Sequence, residues 1–165
     1  MNVVMLEQHY RHLQHLEAAI NACAFSVSID SLGIVTAVNL QVTAVLHQSP
    51  DLLIGRPFTS VLPPENLVQW YDWFSAVLDG SPVKGEMGFT LPDNQPLWLE
   101  AGCSPIKNEA GQIIGCIIIG MDITSRKLAD IKREQNEIYY SQVLENLPLG
   151  LQQFSTTGES IDMNT

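Results

Sequence analysis

The chain has 165 residues, 45% of them hydrophobic, and a net charge of −10. That length suffices for one sizeable core but not for two full domains. With 8 Lys and Arg against 18 Asp and Glu, neither nucleic acid nor a membrane surface is expected as a partner, since both require clustered positive charge. The most apolar run, residues 113–121, has the length of a strand rather than the roughly 20 residues of a membrane span. Glu7 and three histidines stand where a signal peptide would carry its apolar segment, so a cytoplasmic location is expected. Cys23, Cys103 and Cys116 lie in apolar stretches without CxxC spacing and read as small core residues in a reducing compartment.

Residues 3–22 are predicted helical. Leu6, His9, Leu13, Leu16 and Ile20 alternate three and four apart, which makes a heptad seam suited to packing on the same domain or on a second chain. Leu6, Leu13, Leu16 and Ile20 are the candidate dimer contacts. His9, His12 and His15 share one side, but no Cys, Asp or Glu cluster completes a metal site and none is expected.

Residues 24–29 alternate and meet Asp30-Ser31-Leu32-Gly33, a hairpin turn into the β-branched run 34–38. Residues 39–47 read as a short helix, Ser49-Pro50 opens another turn, and Gly55-Arg56-Pro57 breaks it. Pro63-Pro64-Glu65 is expected to start a longer helix to about Leu78, with Trp70, Phe74 and Val77 as its apolar stripe. Three strands follow, at 83–91, 95–104 and 112–121. In the second, Leu97, Leu99, Ala101 and Cys103 share a face. The third is almost continuously apolar, as in a central strand covered on both faces. From Ser125 to Asn146 a polar helix is expected, with Leu128, Ile131, Gln135, Ile138 and Gln142 at heptad positions. The fold class expected is α+β: a five-stranded antiparallel sheet with the helical stretch crossing one face.

Part of the pattern repeats. Asn21, Gly33 and Asn39 recur as Asn146, Gly158 and Asn164, each 125 residues further on. One complete module, a connector and the first hairpin of a second module are therefore expected. The boundaries are 1–22 for the N-terminal helix, 23–124 for the module, 125–146 for the connector and 147–165 for the second start. The chain is read as the front piece of a longer modular protein.

The segment from Asp30 to Asn39 resembles the "D-x-x-G-x-I-x-x-V-N" hairpin of the PAS domain family. Leu52 to Phe58 resembles that family's "L-I-G-R-x-F/L" stretch, and Leu62-Pro63-Pro64-Glu65 its "L-x-P-E" helix start. Trp98 to Ile106, with Asn108 to Gly111 and Gly115, is similar to its "W-x-x-x-x-x-x-P-I-x-x-x-x-G-x-x-x-G" strand pair. Asp122-Ile123-Thr124-Ser125-Arg126-Lys127 is similar to the closing "D-I-T-x-R-K". The resemblance covers about residues 18–127 and implies a PAS fold with a pocket between the sheet and the helix facing it. It also implies an output domain beyond the tandem modules, a histidine kinase or an enzyme of cyclic-di-GMP metabolism such as a diguanylate cyclase. Asp122 ends the last strand and Thr124 is placed to cap the exit helix, so the two are the candidate signal relay.

The candidate pocket residues are Asn39, Trp70, Phe74 and Trp98. No Cys lies between Cys23 and Cys103, which argues against the covalent flavin photochemistry of one PAS branch. Residues 65–80 contain no His to hold a haem. A filled core is the preferred reading, a small apolar or acidic metabolite the second, and non-covalent flavin the third. No nucleophile elbow or phosphate-binding glycine loop is present, so the chain itself is not expected to be an enzyme. The function expected is a sensory and homodimerising module that passes a ligand- or partner-induced change to a C-terminal helix. The alternatives are a flavin-based redox or light sensor and a ligand-free dimerisation scaffold.

Overall fold

The computed structural model describes residues 3–146, 152–154 and 160–163. Its elements run α1 (Val3–Cys23), β1 (Phe25–Asp30), β2 (Val35–Val38), α2 (Leu40–Leu46), α3 (Pro50–Leu53), two short 3-10 turns, α4 (Leu67–Leu78), β3 (Val83–Thr90), β4 (Pro96–Lys107), β5 (Ile113–Asp122), α5 (Thr124–Asn146), β6 (Gln152–Phe154) and β7 (Ser160–Met163). They form two compact units, residues 1–124 and residues 125–165.

In the first unit five antiparallel strands lie in the order β2-β1-β5-β4-β3. The order puts β5 at the centre, as its apolar run predicts. The hairpin between β1 and β2 is built by Asp30, whose Oδ1 accepts from the amides of Leu32 and Ile34, both at 2.9 Å. Gly33 sits at φ +85, a region that glycine enters without steric cost. The edge of β2 is covered rather than left open. Val35 N–H donates to Arg56 C=O at 2.9 Å and Gly55 N–H to Val35 C=O at 2.8 Å, so the segment that breaks α3 also occupies the edge backbone.

The helices cross one face of this sheet. The expected long helix begins later than Pro63-Pro64-Glu65 suggested: Pro64–Asn66 is a 3-10 turn and α4 starts at Leu67. Asn66 Nδ2 donates to Gly88 C=O at 2.9 Å and Gln69 Nε2 to Glu86 C=O at 3.2 Å, which fastens α4 to β3. Trp73 packs closely on the same strand because residue 85 is glycine; a Cβ there would stand 2.9 Å from the indole. Buried Ile29, Val35, Leu53, Trp70, Val77, Cys103 and Cys116 form the centre of the core.

In the second unit β6 and β7 pair with Gln152 opposite Met163, Gln153 opposite Asp162 and Phe154 opposite Ser160, and the register breaks between Gln153 and Phe154. In β1 and β2 the pairs are Val27 with Val38, Ser28 with Ala37 and Ile29 with Val35, and the register breaks between Ser28 and Ile29. Every partner in the second hairpin lies 125 residues beyond its counterpart in the first, irregularity included. The anchors Gly158 and Asn164 lie outside the described residues.

Candidate functional site: an apolar cavity and the strand end beside it

Between the sheet and the helices lies a cavity of about 130 Å³. Strand alternation supplies its sheet wall: Leu97, Leu99 and Ala101 from β4, Met87 and Phe89 from β3, and Ile118 and Gly120 from β5. Val42 and Leu46 of α2 and Trp70 and Trp73 of α4 close the other side. Thr90 adds the one hydroxyl in the lining. Trp70 is fixed by its neighbours, with Phe58 edge-on at 4.6 Å and Phe74 stacked at 5.1 Å between ring centroids. The space corrects the expectation of a filled core.

Of the four pocket residues expected from the sequence, Trp70 lines the cavity and the other three are elsewhere. Phe74 stands behind Trp70. Trp98 is on the opposite face of the sheet, where its ring occupies the space above Gly88, about 3.1 Å from where a Cβ would be. Alternation decides this: with Leu97, Leu99 and Ala101 turned inward, residue 98 must turn outward. The same alternation was legible in the sequence and would have selected the leucines. Asn39 is a structural clamp. Its Oδ1 accepts from Ser26 N–H at 3.2 Å and from Val42 N–H at 3.3 Å, capping α2, and its Nδ2 donates to Ala24 C=O at 2.7 Å. Asn39 is not among the residues that line the cavity.

The relay residues Asp122 and Thr124 stand where β5 passes into α5, and Thr124 is bonded to the neighbouring strand. Thr124 is the first residue of α5, and its Oγ1 accepts from Trp98 N–H at 2.9 Å. Ile123 N–H donates back to Trp98 C=O at 2.8 Å. Asp122 Oδ1 accepts from Thr124 N–H at 2.8 Å, a bond two residues long across the turn into α5. The β4 backbone that grips Thr124 thus lies between Leu97 and Leu99, both of which line the cavity.

On α1 the sequence-defined seam is open: Leu6, Leu13 and Leu16 are each about half exposed, and Ile20 is partly buried. Among the described residues no three His, Cys, Asp or Glu side chains group as a metal site, and no helix is long and apolar enough to cross a membrane.

The family model for the PAS domain matches residues 22–125. The chain belongs to the PAS domain family. The PAS domain of a protein from Colwellia psychrerythraea matches with 25% identity and a TM-score of 0.59, over 68% of this chain and 98% of that one. Cycle PAS-B of Drosophila melanogaster, with bound ethylene glycol, is 18% identical with a TM-score of 0.52, over 60% of this chain and 99% of that one. A Vibrio cholerae VqmA dimer is 17% identical with a TM-score of 0.58, over 69% of this chain and 52% of that one. None of the curated proteins matches the chain. The first unit is thus a PAS sensory domain, and its five-stranded antiparallel sheet with covering helices is the PAS fold.

Proposed function

We propose that this chain is the sensory and dimerising segment of a multidomain signalling protein, and that a small apolar ligand in the PAS cavity resets α5 through Trp98 and Thr124. The observation that carries the reading is the apolar cavity of about 130 Å³ beside the strand end that holds Thr124. An apolar cavity of about 150 Å³ stays dry and accommodates benzene, so the ligand class is a single aromatic ring or a short aliphatic molecule. A flavin, with three fused rings and a polar edge, asks for more room and more hydrogen-bonding groups than this lining offers. An acidic metabolite would leave a carboxylate without partners in an apolar wall. Ethylene glycol bound to Cycle PAS-B is in keeping with small-molecule occupancy of this fold.

The mechanism needs two states a few kcal/mol apart, with the ligand preferring one. Ligand contact on Leu97 and Leu99 displaces the β4 backbone at Trp98, and the bond to Thr124 carries that displacement to the start of α5. The exposed leucines of α1 support a parallel homodimer, and VqmA is a dimer. The repeated register of β6 and β7 supports a second PAS domain beginning after α5. The output is then a separate domain of a histidine kinase or a cyclic-di-GMP enzyme in the cytoplasm, and this segment regulates it without catalysing a reaction.

The test is titration of the protein with benzene, followed by amide chemical shifts. Saturable shifts at Leu97, Ala101 and Ile118 that vanish in Ala101→Leu are expected. Shifts scattered over the surface, or unchanged by that substitution, would contradict the reading.

A further inference from the structure

β4 and β5 carry a second feature on the cavity-lined face. Cys103 lies two residues beyond Ala101, and Cys116 two residues before Ile118. Cys103 is opposite Ile118 and Cys116 opposite Pro105, so the two thiols are diagonal neighbours on one face of the two central strands. Both are completely buried and unbridged. Far apart in sequence and lacking CxxC spacing, they read as unrelated core residues until the register brings them together.

We infer that Cys103 and Cys116 are a peroxide-responsive dithiol that closes reversibly to a disulfide across the centre of the PAS sheet. Diagonal positions stand roughly 7–8 Å apart between Cα atoms, whereas a relaxed disulfide spans up to about 6.8 Å. Closure must draw β4 and β5 together by on the order of 1 Å. A bridge under that strain is readily reduced, the behaviour of a switch rather than of a structural staple.

The thiols are also chemically unequal. The hydrogen bond to Cys116, with burial and the charge that would sit beside it, holds Cys103 far above the ordinary thiol range. The same bond acts in the opposite sense on Cys116, against burial. We assign the attacking role to Cys116, whose thiolate a hydrogen bond from the Cys103 thiol would stabilise.

Its sulfur attacks one peroxide oxygen and breaks the O–O bond. The departing oxygen takes up the proton that Cys116 released on ionising and leaves as water, or as an alcohol from an organic hydroperoxide, and a sulfenic acid remains. The Cys103 sulfur then attacks the sulfenic sulfur, and the displaced hydroxide leaves as water with the Cys103 proton. Two thiols lose two electrons in all, and one peroxide gains them. A small hydroperoxide is the oxidant suited to this site, since the apolar cavity bounded by Ala101 and Ile118 is the adjoining space.

The experiment uses the full chain, in which exposed Cys23 serves as an internal reference for an unassisted thiol. Protein is treated with hydrogen peroxide or tert-butyl hydroperoxide, quenched, unfolded, alkylated and mapped by mass spectrometry. The expected result is a Cys103–Cys116 linked peptide lighter by two hydrogens, restored by dithiothreitol, and formed at lower peroxide than Cys23 oxidation. Cys103→Ser should stop the reaction at a sulfenic acid on Cys116, trapped by dimedone. The wild-type mapping stands even if that variant fails to fold. Both buried thiols alkylated in full after Cys23 has oxidised would overturn the inference, as would a Cys103–Cys116 bridge seen only when denaturant accompanies the peroxide.

Discussion

The amide of Trp98 donates to the hydroxyl of Thr124 at 2.9 Å, so the first residue of the exit helix is bonded to the strand that walls the cavity. Removing the hydroxyl while keeping the shape, as in Thr124→Val, leaves that amide short of a partner at a cost of about 1–2 kcal/mol. Asp122→Ala, which removes the acceptor for Thr124 N–H, should cost about 1 kcal/mol. Urea unfolding checks both values. In the full-length protein each variant should keep the domain folded and lose regulation of output.

Asn39 serves the fold rather than the ligand. Asn39→Ala removes a helix cap and both ties to the β1 end, at residues 24 and 26, and should cost about 2 kcal/mol. Ligand affinity, measured under conditions where the variant remains folded, should be unchanged.

Ala101→Leu fills space that is already there. Three added carbons enter the cavity of about 130 Å³, so stability should change by less than about 1.5 kcal/mol in either direction. Benzene should no longer raise the melting temperature. A melting curve with and without benzene reads both effects.

Charging the α1 seam tests the assembly. Leu6→Asp with Leu13→Asp places two carboxylates where exposed leucines stand, and light scattering should report a monomer while circular dichroism stays that of the folded domain. A wild-type protein that is monomeric at high micromolar concentration would contradict the dimer.

The sequence carried the architecture because each element has a local cause: the Asp30 turn with Gly33, the alternation of β4, the continuous apolar run of β5. The site was less legible. Choosing pocket residues by chemical type, aromatic surface and a hydrogen-bonding Asn, selected Trp98 and Asn39, which the strand pleat and a helix cap assign elsewhere. Local pattern cannot reveal a void, since cavity volume depends on how α2 and α4 settle on the sheet. Nor can it reveal pairs such as Cys103 with Cys116, or Trp98 with Thr124, because those are set by the register between strands.

The central claim is that cavity occupancy reaches α5 through Thr124. Hydrogen exchange over residues 125–146, with and without saturating benzene, tests it most directly in wild type, Ala101→Leu and Thr124→Val. The account predicts altered protection in the first turns of α5 for wild type alone. Thr124→Val should still bind benzene without passing the change on. Equal protection in wild type with and without bound benzene, or a full response in Thr124→Val, would contradict it.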